Sequence, residues 1–85
     1  MTEEKQEVGR VIHYYPKIGV AVVQLRNSVN VGDRILVKGA ITNFEQLVES
    51  MQIEHKDVQR ADAGQSVGLK VKEKVRESDV VYKVG

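Results

Sequence analysis

From Glu7 onward the apolar residues of this chain are mostly β-branched and recur at a spacing of two, the period of a pleated strand with one buried face. Nothing reads as a long helix. The first run, Val8 to Tyr15, stops at Pro16, whose fixed φ and missing N–H favour a turn. The second, Ile18 to Leu25, is apolar on both parities, so it is expected to be a central strand covered on both faces.

Turn chemistry at Asn30-Val31-Gly32-Asp33 delivers a third strand, with Ile35 and Val37 facing in and Arg34 and Lys38 facing out. Phe44 to His55 changes parity between Val48 and Met51, which predicts a bulged strand. Phe44, Leu47, Val48 and Met51 also fit a 3.6 period, but no capping box opens the segment and its neighbours are all strands. Ala61-Asp62-Ala63-Gly64-Gln65 turns the chain into a fifth strand with Val67, Leu69 and Val71 inward. Glu77-Ser78-Asp79 opens a sixth, with Val80, Tyr82 and Val84 on one face.

Six short strands in 85 residues predict one all-β domain, a small closed six-stranded Greek-key barrel, because closure removes exposed sheet edges. The barrel is expected over residues 7–85, preceded by a charged, flexible tail, Met1 to Gln6. The chain has no Cys, hence neither disulfide nor thiolate metal site, and a reducing cytoplasm is the expected compartment. The start is charged and no apolar run approaches ~18 residues, so neither a signal peptide nor a membrane helix is expected. Thirteen basic against twelve acidic residues leave no strong overall field, and any basic surface must be local.

The string Val31-Gly32-Asp33-Arg34-Ile35-Leu36-Val37-Lys38-Gly39, with Val48 to Ile53 and Ala61-Asp62-Ala63-Gly64-Gln65-Ser66-Val67-Gly68-Leu69, resembles the second-domain barrel of elongation factor Tu and elongation factor G. Small elongation factor-like proteins, and a barrel that caps some collagenase-like peptidases, are similar. Gly32 and Gly64 stand where tight turns need positive φ, and Gly68 in mid-strand allows close approach. Where the family usually has Gly, this chain has Ser78. The resemblance implies a translation-associated module contacting tRNA or ribosomal RNA. With no G-x-x-x-x-G-K-[ST] loop, no nucleotide is bound by this chain alone.

The residues offer two candidate contacts of that kind. Lys70, Lys72, Lys74 and Arg76 would line one strand face at about 7 Å spacing, a pitch suited to phosphates. Tyr14, Tyr15 and Lys17 put two rings and a cation at a strand end, where unpaired bases stack. The bland reading of both is a solvated face and rim packing.

Gly64-Gln65-Ser66-Val67-Gly68 matches the nucleophile-elbow pattern, but that motif needs a following helix and a later His, and both His13 and His55 come earlier. The two histidines are too few and too far apart to suggest a metal site, no Cys or paired carboxylate stands at ligand spacing beside either, and Glu45 and Glu49 read as a solvated face. The expectation is a non-enzyme without metal or cofactor. The alternative function is a protein-interaction adaptor for a peptidase or RNA-modifying enzyme, motivated by the doubly apolar second strand.

Overall fold

The structure is a computed structural model of the chain and describes residues 5–84. It is all-β and antiparallel. Ten strands follow in order: β1 (Lys5–Tyr15), β2 (Val20–Leu25), β3 (Val29–Asn30), β4 (Arg34–Lys38), β5 (Asn43–Leu47), β6 (Met51–Ile53), β7 (Lys56–Val58), β8 (Arg60–Ala61), β9 (Ser66–Lys70) and β10 (Val80–Val84). Eight form one sheet in the order β5-β4-β10-β1-β2-β9-β6-β7, while β3 and β8 make a separate two-stranded ribbon. Of the charged start, Met1 to Glu4 lie outside the described residues, and Lys5 and Gln6 already belong to β1, opposite Val84 and Lys83.

The inward faces share a single core, whose fully buried members are mainly valines with Ile35, Met51 and Leu69. In β1 the inward residues Val8, Val11 and Tyr14 are three apart, which a pure two-residue period forbids. Two irregularities resolve this, between Glu7 and Gly9 against β10 and between Val11 and His13 against β2. Each inserts a residue and turns the strand, so the sheet curls around the core. In β4, Ile35 and Val37 face in as the pattern indicates. In β10 the buried residue is Val81, opposite Val37, while Val80, Tyr82 and Val84 share the outer parity and are half-buried. There Tyr82 lies beside Leu36 and accounts for the cover on a strand buried on both parities.

The strand reading of Phe44 to His55 holds and the helical one does not. No single bulge corrects its parity. Instead the run changes neighbours: β5 pairs with β4, the backbone of Val48 bonds Gly32 and Asp33, and β6 then pairs with β9 and, through a two-residue hairpin, with β7. The two sides of the sheet therefore meet along one run. They are not joined by a continuous backbone ladder there. The Gln46 amide spans the gap, donating to the Lys70 carbonyl at 2.8 Å and accepting from the Lys72 N–H at 2.8 Å. The closed six-stranded barrel is thus corrected to an eight-stranded antiparallel sheet plus a ribbon, because short turns split the expected strands and a side chain takes the place of ladder bonds at the seam.

Gly32 and Gly64 adopt φ of 97° and 91°, the turn role the sequence assigns them. Ser78, at φ 78°, holds the same kind of position with a side chain. Gly9 is demanded by packing: a Cβ there would overlap the Gln24 carbonyl and crowd Val23. No helix among the described residues is long and apolar enough to cross a membrane.

Replacing Gly9 with Ala forces β1 away from β2, and urea unfolding should show a loss of about 2 to 3 kcal/mol, in the range of core overpacking. Gln46→Ala removes two bonds at a solvent-accessible seam where water can replace them, so the same measurement should show only about 1 kcal/mol.

Candidate functional site

On the outside of the sheet, alternate residues of β1, β2, β9 and β6 fall into cross-strand rows. One row runs His13, Val22, Gly68, Gln52 and Asp57; the next holds Tyr15, Val20 and Lys70. Gly68 leaves a gap in the middle of this face. Around it lies an open depression of about 370 Å³ whose apolar side is made by Tyr15, Ile18, Val20 and Val22. Gln52, Glu54, His55 and Ser66 form its polar rim. Ile18 is 58% exposed and Tyr15 47% exposed, high values for large apolar side chains. A Cβ on Gly68 would point into this space, 3.2 Å from the Val20 Cγ1 and 3.7 Å from the Gln52 carbonyl.

The face explains the doubly apolar second strand. Ala21, Val23 and Leu25 are buried in the core, whereas Val20 and Val22 are half-covered and look outward. At its edge the His13 ring meets Tyr15 edge-on at 4.4 Å and its Nδ1 lies 3.6 Å from a Glu77 carboxylate oxygen. The turn between β6 and β7 is also unusual: Glu54 and His55 both have positive φ, 51° and 65°. Gly, Asn and Asp dominate such hairpin positions because a larger side chain there is strained.

The basic ladder does not form as expected. Strand β9 ends at Lys70, and the chain from Val71 to Asp79 is irregular, tucking Val71 and Val75 into the core. Lys72, Lys74 and Arg76 are exposed on that segment without the regular pitch of a strand, and the Lys70 Nζ donates to the Ile18 carbonyl at 2.9 Å. Nor do the tyrosines make a shared platform. Tyr14 packs against the core while Tyr15 faces out, and Lys17 is exposed in the turn that follows.

Ser66 and His55 border the same depression, but no hydrogen bond joins them among the described residues. Ser66 opens a strand that leads to an irregular segment, not to a helix. No group of three His, Asp or Glu is close enough to hold a metal ion among the described residues. Sequence reasoning missed Gln52, Glu54 and the depression itself. Two signals were available: Gly68 in mid-strand, which pointed to a close approach without saying from which side, and the second strand, apolar on both parities.

Comparison with known proteins assigns the family. The family model described as the peptidase family U32 C-terminal domain matches residues 3–81. An uncharacterized protease of Methanocaldococcus jannaschii is 47% identical over 79 residues, covering 92% of this chain and 19% of the relative. A collagenase of Porphyromonas gingivalis is 37% identical over 84 residues, covering 96% of this chain and 23% of the relative. The chain thus spans about a fifth of the length of these curated relatives. Among solved structures, the C-terminal domain of a Geobacillus thermoleovorans protein assigned to the U32 peptidases superposes with a TM-score of 0.86 at 32% identity, over 92% of this chain and 91% of that one.

These findings overturn the assignment to the elongation factors, and with it the translation-associated, RNA-contacting function. The misleading strings are turn-forming ones, built around Gly32 and Gly64, whose geometry serves any tightly wound antiparallel sheet. The collagenase-like likeness was the sound one: the chain belongs to the peptidase U32 C-terminal domain family.

Proposed function

We propose that this domain is a non-catalytic adaptor that docks on the catalytic unit of a U32-type peptidase through the outer face of β1, β2 and β9. The observation that carries this reading is the apolar depression over Gly68, framed by two large exposed side chains, Tyr15 and Ile18. Four apolar groups, Tyr15, Ile18, Val20 and Val22, inside a polar rim suit a protein contact better than solvent. The relatives support the choice of partner, since in them the matching segment is about a fifth of a longer chain whose names say protease or collagenase. Ser66 and His55, unbonded to one another, support a binding role over a hydrolytic one. The complete absence of cysteine favours a cytoplasmic setting.

The test is association of this chain with the Methanocaldococcus jannaschii relative lacking its matching segment, followed by calorimetry. A micromolar complex is expected. Val22→Lys should weaken it at least about tenfold, the scale of a central interface residue, with the unfolding midpoint unchanged. Lack of association, or gelatin hydrolysis by this chain alone that Ser66→Ala abolishes, would overturn the proposal.

A further inference from the structure

We infer that the Glu54–His55 turn and the space over Gly68 together recognise a bulky apolar side chain adjacent to a Lys or Arg on an extended segment of the docking partner. This rests on the function proposed above and names what the partner must present.

Glu54 lines one end of the depression, and Lys70 stands beyond the other end, next to Ile18. Because Gln52 pairs with Gly68 and Met51 with Leu69, the β6–β7 turn lies toward the Ser66 end of β9. Lys70 lies four residues away, or about 13 Å along the strand. The Lys70 ammonium is anchored on the Ile18 carbonyl, so one flank is fixed as positive. At the other flank the Glu54 carboxylate is exposed and has no ion-pair partner among the described residues, while neighbouring Asp57 already accepts from Gln52 at 3.0 Å. Between these flanks the floor is Val20, Val22 and the bare backbone of Gly68, with room for one large side chain.

Along the strand direction, a ligand that fills the floor therefore meets the Glu54 carboxylate at one end and the anchored Lys70 ammonium beyond the other. That polarity selects a cation next to the apolar residue and fixes which way the segment runs. The strain points the same way: a two-residue hairpin between Ile53 and Lys56 is served with least strain by Asn-Gly, yet two side chains with positive φ stand there, aimed at the rim. A second open depression, beside Arg10 and Arg26, is a poorer candidate because the Arg26 guanidinium is already held by Glu7 at 3.1 Å.

Titrations of the isotope-labelled chain with three capped peptides test the inference by amide chemical shifts: Gly-Ser-Phe-Lys-Ser-Gly, its Phe-Glu counterpart and its Ala-Lys counterpart. Saturable shifts centred on Gly68, Val20 and Val22 are expected for Phe-Lys at millimolar concentration or below. Phe-Glu should bind about two- to fivefold more weakly, the range of one exposed ion pair, and Ala-Lys should give no saturable shift. Glu54→Gln should keep the shifts and erase the Lys-over-Glu preference. Glu54→Asn/His55→Gly should erase the preference too while raising the melting temperature by about 5 °C, because it relieves the turn. A residue retained only for folding would not lose selectivity as stability rises. Equal affinity for Phe-Lys and Phe-Glu, shifts centred on Arg10 and Arg26, or no shift at millimolar peptide would overturn the inference. If the chain still associates with the peptidase unit in those cases, the docking function stands and only the recognition rule falls.

Discussion

One run of chain, Asn43 to Ile53, has to serve two neighbours, and the shape of the domain follows from that. Its first half completes a ladder with β4 and its second half one with β9, so strands far apart in the sheet order are drawn to the same line. Phe44, Val48 and Met51 can then all be buried although their spacing suits no regular strand. Had the run kept one partner, a parity slip would have sent either Phe44 or Met51 into water. Short, stiff valines suit the tightly curled interior that results, since their branched side chains have little rotamer freedom to lose on burial.

Much of this was legible in the residues. Alternation placed Ile35, Val37, Val67 and Leu69 inside, and Gly32 and Gly64 marked two turns correctly. What alternation could not convey was irregularity. Val8, Val11 and Tyr14 sit three apart, and only two inserted residues make them neighbours on one face. Val80, Tyr82 and Val84 form a pattern as clean as any in the chain, yet Val81 is the residue that meets Val37, because register is decided by the partner strand. The Lys70 to Arg76 alternation looked like a strand face, but the ladder with β2 ends at Lys70 and the Lys72 N–H is taken by the Gln46 side chain, so no partner strand holds the segment in a regular pleat.

The functional surface was less visible still, for a related reason. It is built from residues that say little about a site when taken singly: a glycine in mid-strand, two half-covered valines, and a hairpin of glutamate and histidine. Their meaning comes from cross-strand rows that join the β1–β2 hairpin to β9 and β6, which come much later in the chain. A positive φ at Glu54 and His55 leaves no trace in composition, because neither residue type advertises such a conformation. The family resemblance through turn motifs failed for the same cause: those motifs encode how the backbone reverses, and proteins with different tasks reverse it alike.

Lys5 and Val84 are opposite one another at the open end of the β1–β10 pair. A tether pulling on both would load that ladder from its tip and part its hydrogen bonds one after another, as a zipper opens, instead of shearing them all together. Mechanically, then, the fold would yield first along β1 and β10 at low force, while the β2–β9 wall that carries the depression stayed intact.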